Sequence, residues 1–440
     1  MNKLAQILIL GLFCIFTAKL AFADDLSELR SQVEILQEKI QNLETARETN
    51  QAASQTPPPV FDYEEVGDRL NYLEDTQDSM RQHLDDLVRF NMYVTLEYEN
   101  FENTRSAFDA KNVEFIAESQ LGSRLKGFME VEFERAAKTS AGDRQGEIEV
   151  EQGWLEYRIN EYLNLRAGVI TAPFGKFNTE HFETWRDLTQ RPIAMRRVVP
   201  VTWAEAGAGF TGNWNLGENF SAPAIQEWKI NYQVYLINGL TNDLSDTGIR
   251  DARGAFGDDN NNNKAVVGRI GFSPAEDYEI GISGYFGAYD DDNHDMEGFD
   301  IDWDFNLGDL ELIGEYAHFK LDPGGLQKGS STLTVPGSLQ GGYAQANYHF
   351  WFDFLNDTFL GKTFSSPTFT AVLRFGWADI EDDNDTGVGD NKENRWTVGL
   401  NYRPVEMFVY KMEYQFNSTD NESLERGDKD GFIASVSAAF

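Results

Sequence analysis

From about residue 89 to the end of the chain, apolar and polar side chains take turns in segment after segment. Phe90, Met92, Val94, Leu96 and Tyr98 alternate with Asn91, Tyr93, Thr95, Glu97 and Glu99. A period of two belongs to a strand with two unlike faces, because successive side chains point to opposite sides of the pleat. The pattern returns near 110–121, 124–135, 147–159, 163–170, 202–214, 227–238, 264–272 and 278–288. It continues near 297–306, 310–319, 341–350, 368–378, 394–402, 406–416 and 430–440, which makes 16 segments. Most have the roughly 9–11 residues that a tilted strand needs to cross a bilayer. A sandwich in water rarely needs so many strands of this length. The expected fold is an all-β transmembrane barrel of about 16 antiparallel strands, an even number as single-chain bacterial barrels have.

Two further features support the barrel. Gly122-Ser123, Asn160-Glu161, residues 273–277, Leu307-Gly308 and residues 403–405 are short connections, as periplasmic turns should be. The stretches 136–146, 239–263, 289–296, 320–340, 379–393 and 417–429 are long and acidic or polar, as outer loops should be. The connections around 215–226 and 351–367 are longer than a periplasmic turn, so the strand count is weakest there. The last segment puts Phe432, Ala434, Val436, Ala438 and the terminal Phe440 on one face, the apolar closing strand of an outer-membrane barrel.

Residues 1–23 carry a positive start at Lys3, an apolar run from Ile7 to Phe16 and the small-residue site Ala21-Phe22-Ala23, the pattern of a cleaved signal peptide. Cleavage there removes Cys14, the only cysteine, so the exported chain has no disulfide. It also removes Lys3 and Lys19, taking the net charge from −36 to −38. That charge argues against nucleic acid as a partner. No later stretch approaches the 18 or so apolar residues of a membrane-crossing helix. Yet 9 Trp, 17 Tyr and 32 Phe are many for so polar a chain. A barrel has this profile, since it shows lipid only alternate residues and rings its two rims with aromatics.

Between signal and barrel the period changes. Leu26, Leu29, Val33, Leu36, Ile40 and Leu43 follow a 3, 4 spacing, which predicts an α-helical coiled coil over 24–47. Residues 48–61 include Pro57-Pro58-Pro59 and form a stiff linker. A second seam, Val66, Leu70, Leu73, Gln77, Met80, Leu84 and Leu87, predicts another amphipathic or coiled-coil helix over 62–88, leaving 89–440 for the barrel. Val33 and Ile40 at a with leucines at d lean toward two strands. Each helix could extend about 35–40 Å at about 1.5 Å per residue. The coil is expected in the periplasm, as an oligomerisation device or a tether to the cell wall or a periplasmic partner.

The longest outer connection is the third, residues 171–201. It holds Lys176, Arg186, Arg191, Arg196 and Arg197 against Glu180, Glu183 and Asp187, a local +2 in an acidic chain. On the strand that follows, Gly207 and Gly209 face inward and would leave room for a loop against the wall. Leu165-Arg166-Ala167-Gly168 followed by Ala172-Pro173-Phe174-Gly175, with Glu130 and Phe133 on an earlier strand, resembles the phosphate-selective porin O and P family. The resemblance spans about 89–440. It implies an outer-membrane porin, trimeric, whose third loop enters the lumen and selects anions with loop and wall bases. Carried over, Lys176, Arg186, Arg191, Arg196 and Arg197 would form the constriction, with Arg166 on the wall.

The alternation itself lines the lumen with acid. Glu97, Glu99, Glu114, Glu118, Glu130, Glu132 and Glu134 point inward, and Asp300, Asp302 and Asp304 add a second stripe. Lumen bases at Arg166, Lys229, Arg269, Arg374, Arg395 and Lys411 do not form one ladder. A basic loop facing an acidic wall sets a field across the pore and tunes ion preference. The expected function is passive diffusion of small charged solutes, anions such as phosphate included. The alternatives are a cation-leaning general porin and a structural anchor in outer-membrane lipid.

Enzymatic motifs are absent. Gly207-Ala208-Gly209-Phe210-Thr211-Gly212 matches a nucleotide fingerprint by letter, but it lies inside a strand with no helix after it. His83, His181, His294, His318 and His349 are scattered and form no H-E-x-x-H pair. No cofactor is expected, and neither a catalytic residue nor a metal ligand is assigned. The Asp-Asn runs at 257–264, 289–295 and 381–387 read as solvated loop tips, with Ca2+ at these acidic outer loops a secondary expectation.

Overall fold

The structure is a computed structural model. It describes residues 88–440 apart from 136–138, 141–142, 145, 218–226, 246–247, 255, 258, 260, 323–324, 329–330, 382–390 and 421–427. The signal peptide, coiled coil, linker and second helix expected before the barrel lie outside the described residues.

Sixteen strands close into one barrel. They are β1 (Val88–Phe101), β2 (Ala107–Leu121), β3 (Leu125–Glu134), β4 (Ile148–Asn160), β5 (Leu163–Thr171), β6 (Ala204–Asn215), β7 (Lys229–Ile237) and β8 (Ala265–Ala275). The second half comprises β9 (Tyr278–Ala288), β10 (Asp295–Leu307), β11 (Leu310–Leu321), β12 (Ser338–Phe350), β13 (Thr368–Glu381), β14 (Asn391–Val405), β15 (Phe408–Thr419) and β16 (Gly431–Ala439). Each strand pairs antiparallel with its neighbour in sequence, and β16 returns to β1 with Tyr93 opposite Ala439 and Phe101 opposite Gly431. Closure leaves no sheet edge, which a bilayer would not tolerate. Two short hairpins, Thr139–Ser140 with Asp143–Arg144 and Gly325–Lys328 with Ser331–Thr334, stand outside the barrel.

The alternation decides which way each side chain points. Phe115, Ile282, Trp396 and Tyr410 lie exposed on the outer face, where lipid covers them. Their strand neighbours Glu114, Ser283, Arg395 and Lys411 are buried inside. Prolines sit where the ladder already breaks. Pro274 and Pro404 fall within the register shifts near the ends of β8 and β14 and so remove no regular bond. The long connections that weakened the strand count leave it unchanged. The one after β12 contains a single helical turn (Asp353–Leu355) and exposes Phe352, Phe354 and Phe359 beside the aromatic end of the wall.

Alternation fails at one place that matters. On β4 the pairing jumps from Glu130 opposite Gln152 to Val131 opposite Val150, so Glu151 is an extra residue. Such a bulge re-aims side chains locally. Glu151 is buried on the same face as Glu149, and the bulge brings Gln152, Trp154 and Glu156 beyond it to that face as well.

Candidate functional site

The connection from β5 to β6 packs against the inner wall, and the apolar core of the molecule lies between the two. Ala172 and Phe174 are fully buried, and the Phe174 ring lies 4.8 Å from Phe319 and 5.9 Å from Trp203. Asn178 fastens both ends of the loop. Its Nδ2 donates to the carbonyls of Ala172 (2.8 Å) and Trp203 (3.1 Å), and its Oδ1 accepts from the Trp203 N–H at 2.8 Å. Gly175 has φ 74°, and a Cβ there would run into the Glu315 carboxylate of β11. This is why Ala-Pro-Phe ends on glycine. Two single-turn helices follow, α1 (Lys176–Thr179) and α2 (Ala194–Arg197).

A backbone that leaves water needs partners for its N–H and C=O groups, and here the wall charges supply them. On the acidic side Glu315 accepts the Phe177 N–H at 3.0 Å, and Ser283 accepts the Gly175 N–H at 3.0 Å. On the basic side Arg374 donates to the Gln190 carbonyl (2.8 Å), Arg403 to the Thr184 carbonyl (2.7 Å) and Lys411 to the Glu183 carbonyl (2.5 Å). Glu413 takes the Thr189 N–H at 2.7 Å. Arg374 and Lys411, expected as lumen bases, instead hold the loop.

The predicted site residues fall into separate places. Lys176 Nζ sits 2.8 Å from Asp304 and 3.8 Å from Glu279. Burial lowers its pKa, but Glu180, Asp304 and Glu279 raise it further, so it stays charged. Burial also lifts the Glu180 carboxyl, with Lys176 partly opposing. Arg186 pairs with the Glu183 carboxylate, and Arg197 with Glu393 of β14 at 2.6 Å. Arg166 meets Glu156 through Nε (2.9 Å) and Nη2 (2.7 Å), with its guanidinium 3.9 Å from the Trp154 ring centre. Asp302 pairs with Arg269 at 2.6 Å, whereas Asp300 is fully buried with neither oxygen hydrogen-bonded. Glu132 accepts from Asn112 at 3.3 Å, and Glu134 lies 3.7 Å from Lys111.

Between the loop and the β10–β13 wall is a cavity of about 130 Å³. Lys176, Arg186 and Arg374 line it together with Glu180, Asp187, Asp304 and Glu311, so charges of both signs face across it.

Arg191 belongs to a different cluster, which composition hid. It donates to the Val201 carbonyl at 2.6 Å and to Thr202 Oγ1 at 3.3 Å. Arg250 also donates to the Val201 carbonyl, and Arg253 donates to the Thr202 carbonyl. Burial depresses the Arg250 pKa, and so do Arg253, Arg191 and Arg196. Arg250 and Arg253 come from the β7–β8 connection, whose aspartates and asparagines make it read as a plain acidic tip. The Arg-Asp-Ala-Arg spacing within it was the available signal. Gly207 and Gly209 also differ from expectation. The atoms nearest their missing Cβ positions belong to Tyr235, Ile237 and the β7 backbone, so their room goes to the neighbouring strand rather than to the loop.

His181, isolated from the other histidines in the sequence, is central to the loop. Its Nδ1 donates to the Asn178 carbonyl at 3.0 Å, and its Nε2 lies 3.0 Å from Glu151 Oε2. Burial lowers its pKa, but Glu151 more than reverses this, leaving it at about 9. Glu183 is held at about 2, where Arg186, Arg191 and Lys411 outweigh the upward push of burial. No local spacing marks this group, because His181 on the loop and Glu151 on β4 meet only when the loop packs against the wall.

Comparison with known proteins gives three kinds of likeness. The family described as phosphate-selective porin O and P matches residues 88–440. An uncharacterized protein of Aquifex aeolicus (strain VF5) is 22% identical over 369 residues, which is 79% of each chain. Among solved structures, Salmonella typhi OmpF in complex with daunomycin shares the fold, with a TM-score of 0.54, 13% identity, and coverage of 81% of this chain and 98% of that one. The anion-selective porin from Comamonas acidovorans gives a TM-score of 0.48 at 11% identity, covering 80% of this chain and 99% of that one.

Proposed function

The chain belongs to the phosphate-selective porin O and P family and is an outer-membrane porin; we propose that it passes small charged solutes by passive diffusion, anions such as phosphate among them, through a pore narrowed by its third loop. Family and fold point to a channel rather than an enzyme. The observation that carries the narrowing is the loop's attachment to the inner wall from Ser283 and Glu315 on one side to Arg374, Arg403 and Lys411 on the other. What passes must use the space beside the loop. There Lys176 and Arg186 face Asp304 and Glu311, a transverse field that orients charged solutes.

The anion preference is supported by the arginines Arg191, Arg196, Arg250 and Arg253, gathered where the third loop meets the β7–β8 connection. A cation preference has its own support in the inward carboxylates Glu114, Glu130, Glu132 and Asp300. Reversal potentials in a salt gradient decide between them. Cation selectivity that is unchanged when Arg186, Arg191, Arg196 and Arg197 are neutralised would remove the anion reading. Assembly as a homo-oligomer, a trimer by family resemblance, is part of the proposal and is read from the unheated mass in mild detergent. A periplasmic location for segment 24–88 is part of the same proposal, with Ca2+ at the outer loops as a subsidiary one.

A further inference from the structure

Under the third loop, against β2, β3 and β4, five carboxylates meet: Glu114, Glu130, Glu132, Glu151 and Glu183. Glu183 is satisfied by Arg186. Glu130, Glu151 and His181 each bring one donor atom to within 4.8 Å of the others, and Glu114, Glu132 and Glu151 do the same. Glu130 is 0% exposed and Glu114 2% exposed. Gln152 donates to Glu130 Oε2 at 2.7 Å and Asn112 donates to Glu114 Oε1 at 2.6 Å. The second oxygen of each, Glu130 Oε1 and Glu114 Oε2, is buried with no hydrogen-bond partner. A buried carboxylate oxygen left in this way is costly unless a cation answers it.

The histidine is arranged to match. Its Nδ1–H is committed to a backbone carbonyl, which fixes the ring and turns Nε2 toward Glu151 and Glu130, so that an ion bound there would take the place of the Nε2 proton. A metal-binding histidine is oriented in this way, by giving its other N–H to a carbonyl or carboxylate. We propose that Glu130, Glu151 and His181 form a site for a divalent transition ion of the zinc type, with Glu114 and Glu132 as the neighbouring carboxylates. Imidazole with carboxylates suits zinc better than the all-oxygen sets that calcium and magnesium prefer. His181 comes from the third loop, and Glu130 and Glu151 come from the wall. An ion there pins the loop to β3 and β4, on the side of the lumen away from the cavity beside Lys176. The bulge in β4 places Gln152 opposite Glu130 on the inner face directly after Glu151, so that both reach the set.

The test uses the full-length protein in detergent, stripped with EDTA and titrated with Zn2+ by calorimetry. The expected result is one saturable site per chain, weakened by about tenfold or more in both Glu130→Gln and His181→Gln. Retained heat-modifiable mobility on gels shows that each variant still forms the barrel. Zinc X-ray absorption on the wild type should show an imidazole nitrogen with carboxylate oxygens, and this spectrum decides alone if a variant fails to fold. Identical isotherms for wild type and Glu130→Gln would overturn the proposal, as would a spectrum without imidazole. Glu114 and Glu130 would then share a proton and His181 would be a simple ion-pair partner.

Discussion

Lys176 of the third loop and Asp304 of β10 meet at 2.8 Å across the cavity beside the loop. The pair joins the chain's positive segment to its acidic wall stripe at the lining of that cavity. Each charge also has a second contact, since Lys176 reaches Glu279 at 3.8 Å and Asp304 accepts from Asn306 at 3.4 Å. Replacing one partner therefore changes both the field and the hold on the loop. Asp304→Asn should move the reversal potential toward anions, and Lys176→Gln should move it toward cations. The shift should be about fivefold in permeability ratio, because a unit charge about 4 Å away in water is worth about 1 kcal/mol. The double variant should restore much of the wild-type ratio, measured in planar bilayers.

Arg250 and Arg253 reach the third loop from another connection through the carbonyls of Val201 and Thr202. Neutralising both to Gln should lower the anion preference by about fivefold and raise the mobility of the loop. Bi-ionic potentials read the first effect, and proteolysis of intact cells near residue 201 reads the second. An unchanged potential would mean that these arginines serve only as supports.

Gly175→Ala should open the pore. At φ 74° and ψ 154° the backbone lies in a region essentially reserved for glycine, where alanine costs about 1–3 kcal/mol, and its methyl would meet the Glu315 carboxylate that holds the Phe177 N–H. The strand ladder does not depend on that contact, so the barrel should fold with higher single-channel conductance. Phe174→Ala, which empties a site against Phe319 and Trp203, should act in the same direction.

Removing Phe440 should impair assembly rather than selectivity. Its N–H donates to the Met92 carbonyl at 2.9 Å, and its own carbonyl accepts from Met92 at 2.8 Å, closing the ring between β16 and β1. The yield of the folded, heat-modifiable band should fall several-fold, while the unit conductance of the remaining channels stays the same.

A chain lacking residues 24–87 should still form a conducting barrel, because β1 starts at Val88 and closure uses only later residues. If the trimeric band disappears, the coil is an oligomerisation device. If the envelope instead detaches while conductance is unchanged, the coil is a tether.

Much of this protein was readable from its residues because the relevant signal is local. Phe408, Tyr410, Met412, Tyr414 and Phe416 announce a lipid face without reference to any other strand, and sixteen such announcements determine a closed barrel. Residues 171–201 were identified in the same way, by length and charge. The purpose of Ala172-Pro173-Phe174-Gly175 was not readable, since it rests on Trp203, Phe319 and Glu315.

The sequence by itself determined the barrel, the strand count, the third loop and the inward direction of Glu130, Asp302 and Asp304. Only the tertiary structure decided what each charge does. Lys176 and Asp304 are 128 residues apart, Thr189 and Ser435 are 246 apart, and His181 meets Glu151 only because the third loop packs against β4. Alternation fixes the face of a side chain within its own strand. It contains nothing about which side chain waits across the lumen, and that encounter decides whether a charge meets solute, holds backbone or is ready for an ion.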